Sequence, residues 1–226
     1  MFQARTFKNE FAIELNYLYE FDVYFDGIRL HQNISTLDKK IKEDNDQIIS
    51  ELVHEDPDVK TSILNQVNVS NALYDFHDML FKSFLITTYS WLEKSLKEIC
   101  VICAKHNSLP NYTSLRRGKY RHCTDLSAPK EYLTEYLKID IHEFDDFWNG
   151  FDLYTKLRKS IVHHNSSIID GKLLTSFKLG ESLLVKDGSI LILNKSILVR
   201  FIDESSLLIK NIIDIINRDF NLIEEC

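Results

Sequence analysis

Between residues 70 and 105 the sequence runs through Leu73, Phe76, Leu80, Phe84, Leu85, Thr88, Leu92, Leu96 and Ile99 without one glycine or proline. Steps of three and four residues place these side chains on one side of a helix. Phe81, Tyr89 and Trp91 lie beside that stripe and widen it, which predicts a helix buried on more than one side. Such a helix must be surrounded, and the remaining chain supplies apolar periodicity at helical spacing. Six glycines and three prolines in 226 residues, with 44% hydrophobic side chains, fit a mostly helical protein with a sizeable core. No run approaches the roughly 18 apolar residues that a membrane span needs, and the opening MFQARTFKNEF lacks the apolar core of a signal peptide. A cytoplasmic protein with no membrane partner is expected.

From Phe7 to about Val53 the spacing of Phe11, Leu15, Leu18, Phe21 or Asp22, and Phe25 predicts one long helix, or two joined near Gly27. HEDPDVKTS places a break at Pro57. NSLPNYTS leads into a basic loop, and Ser127 followed by Ala128-Pro129 reads as an N-cap that opens a helix to about Leu137. A further helix starts near Ile141 and carries Phe144, Phe147, Trp148, Phe151, Leu153 or Tyr154, Leu157 and Ile161. Its aromatic stripe suits a core or a dimer interface. Over 173–194 the period changes: SLLVK and SILILN flank Asp187-Gly188, a hairpin signature. Helical spacing returns at Leu198, Phe201, Ile202, Ile209, Ile212, Ile213, Ile216 and Phe220. The expected fold is mostly α, an antiparallel helical bundle with a small β-hairpin before the C-terminal helix. An acidic N-terminal helical region, 1–60, packs on or extends the bundle of 61–226.

The formal net charge is −7, unfavourable for a general nucleic-acid binder, but it is unevenly spread. Residues 1–60 hold 13 acids and 7 bases, and the remainder 21 acids and 20 bases. Two windows contain no acid. Window 107–124 holds Arg116, Arg117, Lys119, Arg121 and His122, and window 153–169 holds Lys156, Arg158, Lys159, His163 and His164. Together they would make a cationic patch suited to a phosphate backbone. Arg116, Arg117, Lys119 and Arg121 are the candidate RNA contacts, with Tyr112 and Tyr120 as candidate base-stacking rings. A solvated loop is the plainer account of the four bases and stands ahead of the RNA reading. Four cysteines do not make a disulfide framework. Cys100 and Cys103 could join His106, with His122 or Cys123, as zinc ligands, but their place in a helical apolar pattern favours core. His31, His54, His77 and His142 read as surface residues.

The chemistry concentrates in LRKSIVHHN, residues 157–165. An arginine followed by Ile-Val-His near a helix end, here Arg158, Ile161, Val162, His163 and Asn165, resembles the signature of HEPN domains. The preceding FLITTYSWLEKSLKEIC resembles the other core helix of that bundle, and the likeness spans roughly 70–220. It implies a metal-independent endoribonuclease of a toxin–antitoxin or abortive-infection defence system, with no cofactor and no metal. The implied catalytic residues are Arg158 and His163, with Lys159, His164 and Asn165 as accessories. Lys159 stands where the family often has asparagine or another small polar residue, and His164 is an alternative to His163 at one residue longer spacing.

Residue chemistry agrees with that implication. Metal-free RNA cleavage needs a base for the 2′-hydroxyl, an acid for the leaving 5′-oxygen, and positive charge at the phosphorane. Histidine titrates near neutrality and arginine forks onto phosphate oxygens. Arg158 and His163 lie roughly 140° apart around an ideal helix, so a side-by-side dyad calls for two antiparallel copies and hence a homodimer with a composite site. An antitoxin or other regulatory protein is a further expected partner. Two plainer readings compete: the bases only complement the dipole of a helix C-terminus, or the chain is a non-catalytic dimerising module that binds RNA, a nucleotide or a protein.

Overall fold

Long breaker-free stretches become long helices. The computed structural model describes residues 2–53, 69–140, 144–163, 183–186, 189–192 and 195–220. They form α1 (Phe2–Tyr17), a π-helical turn (Leu18–Val23), α2 (Tyr24–Val53), α3 (Val69–His106), α4 (Tyr112–Arg117), α5 (Ser127–Tyr136), α6 (Asp145–His163), β1 (Leu183–Lys186), β2 (Ser189–Ile192) and α7 (Ser196–Asp219). The protein is therefore mostly α-helical. Among the described residues strand is confined to β1 and β2, which pair antiparallel with Leu183 opposite Ile192 and Lys186 opposite Ser189. The break placed at Pro57, the helix start placed at Ile141 and the turn placed at Asp187-Gly188 lie outside the described residues. No described helix is long and apolar enough to cross a membrane.

The chain forms two compact units, each drawn from several segments. The first comprises Met1–Ile28, Tyr89–Asp152 and Ile202–Cys226, the second Arg29–Thr88 and Leu153–Phe201. In the first unit, Leu15, Leu92, Leu96, Ile99, Ile209 and Ile216 are fully withdrawn from water, each stabilising the fold by about 1.5–3 kcal/mol. Phe11 stacks on the buried His106 ring (centroids 5.2 Å apart) and meets Phe220 edge-on at 5.9 Å. His106 Nε2 is 3.0 Å from the Glu14 carboxylate, which also takes Lys105. In the second unit Ile34, Phe81, Leu85, Leu157 and Leu198 are buried. Tyr154 stacks on Phe201 at 3.9 Å and 11°, and Asp38 pairs with Lys42 and Lys195 at 3.4 and 3.2 Å.

The N-terminal helical run departs from the expected phase. Phe21 and Phe25, expected on the core face, are 52% and 54% exposed, whereas Val23, Gly27, Leu30, Ile34 and Ile41 are buried. The cause is the π turn. Its hydrogen bonds span one extra residue, so the buried face advances by one position between Leu18 and Val23. Tyr17, Phe21 and Phe25 then follow one another along the outside, their ring centroids 4.8 and 5.9 Å apart.

Gly27 is not the joint between two helices either, for it lies inside α2. A Cβ built there would come 3.4 Å from Ser206 Oγ and 3.7 Å from Trp91 Cζ2. The residue permits close approach of backbone to neighbour. Gly27→Ala should be neutral or stabilising by up to about 1 kcal/mol, since alanine is the better helix former and its Cβ just fits. Gly27→Leu should destabilise by about 1–3 kcal/mol through overpacking against Trp91. Urea unfolding of the two variants beside wild type checks both.

Candidate functional site

The motif helix is held by the apolar face that precedes the motif. Phe144, Trp148, Phe151, Tyr154 and Leu157 are buried at helical spacing, and Ser160 continues the line at 3% exposure. Asp145 and Asp146 occupy the first turn of α6 and His163 the last, a distribution that the helix dipole favours. One position on from Leu157, Arg158 is half-buried, while Lys159, Val162 and His163 are exposed.

Helix geometry sorts these side chains into two groups. Lys159 and His163 are four residues apart, so they sit one turn apart on the same exposed face. Arg158 shares its side with Val162 instead, and Val162 presents 46% of its surface to solvent. Within one helix the motif thus brings together lysine and histidine rather than arginine and histidine. His164 and Asn165 lie outside the described residues.

The first basic window folds locally. Asn111 accepts a hydrogen bond from the Ser114 N–H at 2.9 Å and caps the short helix α4, which stops at Gly118. What read as a loop is therefore partly helical, and asparagine before and glycine after were its signal. Arg116 donates to the Tyr120 carbonyl at 2.9 Å and to Asp125 at 2.7 Å. Lys119 pairs with Glu135, and Arg121 Nε donates to His122 Nε2 at 2.8 Å. Three of the four expected RNA contacts thus make protein contacts. Tyr112 and Tyr120 are each only 3% exposed, which removes both as stacking platforms. Tyr112 packs edge-on against Tyr132 at 5.4 Å, and the Tyr120 hydroxyl donates to Glu135 at 2.8 Å.

Arg117 is the exception. It is exposed and, with Arg116, lines a cavity of about 370 Å³ together with Lys94 and Lys97 of α3. The two lysines were missed in the sequence because they lie within a strongly apolar helix. Their spacing of three residues on its polar side was the available signal.

The start of α5 corrects the capping assignment. The Ser127 N–H donates to Thr124 Oγ1 at 3.0 Å and the Thr124 N–H donates to Ser127 Oγ at 2.7 Å. Ser127 is thus the first residue of α5, with Leu126 at the cap position making no side-chain cap bond, and the Thr124–Ser127 pair ties the preceding turn to the helix start. At the other end Lys138 takes a positive φ of 58° and the Ile139 N–H returns to the Leu133 carbonyl. Cys100 and Cys103 are fully buried, and Cys100 Sγ lies 4.0 Å from the Pro129 carbonyl. Burial pushes the Cys103 thiol up to about 12 and Cys100 well above its usual value. These are core groups, and among the described residues no three histidine, cysteine or acidic side chains cluster as metal ligands would.

No family model matches the sequence. Neither a curated protein nor a solved structure matches it.

Lys119 first, and Tyr120 second, hold the Glu135 carboxyl below its ordinary value. A carboxyl depressed on folding stabilises above its unfolded value, near 4.5, and that contribution is lost as pH falls through the lower folded value. Glu135→Gln should therefore melt below wild type at neutral pH, and the gap should close as pH falls through the lowered value of the folded carboxyl. Melting curves across that range read the effect, which is small because the pair is exposed.

Proposed function

We propose that this chain is a metal-independent endoribonuclease of the HEPN type, acting as a defence or toxin effector under the control of a partner protein. The observation that carries the reading is the end of α6. A helix anchored by Tyr154 and Leu157 leaves Lys159 and His163 exposed within its last two turns, with Arg158 half-buried on the side of Val162. The mostly helical chain is compatible with this reading, which expects an antiparallel bundle with a hairpin before its last helix.

His163 takes the proton of the 2′-hydroxyl as its oxygen attacks phosphorus. An imidazolium supplied by a second copy protonates the 5′-oxygen as the P–O bond breaks, leaving a 2′,3′-cyclic phosphate and a 5′-hydroxyl. Arg158 holds the phosphoryl oxygens in a bidentate fork. Lys159 sits on the His163 face and adds charge where the phosphorane develops, the place an asparagine or other small polar residue often takes in the family. The separation of roughly 140° between Arg158 and His163 is what calls for the homodimer. DNA, without the 2′-hydroxyl, is not cut.

The test is incubation with total RNA and tRNA in EDTA, with the 3′ ends of any fragments read out. Wild type should cut and leave cyclic phosphate ends. His163→Ala and Arg158→Ala should each lose about 10²-fold or more, and Lys159→Ala about tenfold. No cleavage with EDTA or with added metal, from a protein harmless on expression, would sink the catalytic reading.

A further inference from the structure

The cavity between α3 and α4 belongs wholly to the first unit and carries chemistry that the α6 motif does not use. Its walls include four bases (Lys94, Lys97, Arg116 and Arg117) against two acids, Glu93 and Asp125. Asp125 is already engaged by Arg116. That contact orients one guanidinium and removes one acid from the balance, so three bases, Lys94, Lys97 and Arg117, face a single carboxylate. All three are exposed. An excess of two positive charges in a concave site on a protein of net charge −7 is a local inversion of sign. Clefts lined by one sign of charge focus the field and concentrate counter-charged ligands.

Size and lining narrow the ligand. At about 370 Å³ the cavity lies at the small end of ligand sites. The neutral groups facing it include the hydroxyl-bearing residues Ser90, Thr113 and Tyr112, which can donate to an oxyanion. No exposed aromatic face is available, because the Tyr112 ring is buried edge-on against Tyr132. Without a stacking platform the site reads charge and oxygen acceptors, not bases.

We propose that this cavity is a phosphate-binding site, holding the phosphate groups of an RNA strand or of a nucleotide through Lys94, Lys97 and Arg117. The inference stands apart from the α6 reading, since it concerns binding and uses none of the same residues. An RNA phosphate and a nucleotide phosphate present the same chemistry to the three cations and differ in what else is attached.

The test uses the full-length protein in two titrations, one with a fluorescent single-stranded RNA and one with ATP. Inorganic phosphate serves as competitor in each. Lys94→Ala/Lys97→Ala places the best helix former at exposed positions of α3, so the fold should persist. Arg117→Ala is added to it, and Lys39→Ala on α2 serves as the control. The RNA or ATP that uses the site should bind about tenfold or more weakly to the triple variant. For RNA the salt dependence should flatten by about 0.7 in log–log slope per cation removed. Changing the base of the nucleotide, or the RNA sequence, should matter little. Tight binding to RNA alone identifies a strand-tracking site, and to ATP alone a nucleotide site. If no probe that binds wild type is weakened in the triple variant, the proposal is overturned, as it is if both probes fail to bind wild type.

Discussion

The burial of α3 is the constraint that the cores of both units share. A helix of 38 residues with Phe81, Leu85, Leu92, Leu96 and Ile99 withdrawn from water cannot rest on one neighbour. Its N-terminal part enters the core of the second unit and the part from Tyr89 onward enters the first. The demand for partners explains why α6 and α7 are long and apolar on one side. It also explains why the polar positions left on α3 stand out: Lys82 and Lys105 are taken by Asp78 and Glu14, while Lys94 and Lys97 are exposed on the side that packing leaves open.

The cations of the chain illustrate how protein contacts decide which charges are left for a ligand. Sequence proximity grouped Arg116, Arg117, Lys119 and Arg121. Folding gives them different partners: Asp125 and a carbonyl hold Arg116, Glu135 holds Lys119, and His122 engages Arg121. Arg117 joins instead two lysines some twenty positions away in the chain. Along α6 the same sorting follows from helical geometry alone, and it allies Lys159 with His163 and Arg158 with Val162.

What was legible in the sequence was whatever a helical period could express. The α3 stripe from Leu85 to Ile99, the buried line from Phe144 to Leu157 and the α7 line from Leu198 to Ile216 could all be read from residue types, because each is an uninterrupted 3.6-residue pattern, whereas Leu80 and Phe84, expected on the same stripe, are half-buried. The π turn was not legible. Leu18–Val23 contains no residue type that announces an extra residue in the turn, and one added residue was enough to move Phe21 and Phe25 from the inside to the outside. Gly27 misled in the same region, because a glycine placed for close approach looks like one placed for a break. In the candidate site, Arg158, Lys159 and His163 could be picked by chemistry. Lys94 and Lys97 could not, since only the fold brings them to Arg117. Tyr112 and Tyr120 were misjudged because aromatic rings amid bases fit either stacking platforms or a small local core.

The two buried cysteines have a consequence of another kind. A thiol reacts as thiolate, and enclosure in apolar surroundings keeps Cys100 and Cys103 protonated at neutral pH as well as out of reach of reagents. Their sulfur atoms can be labelled only in molecules whose first unit has opened. The pair is therefore a built-in clock of local unfolding: the rate at which a small alkylating agent consumes them measures how often that core breathes. Because α3 supplies both, the clock runs on the helix whose burial the two cores share.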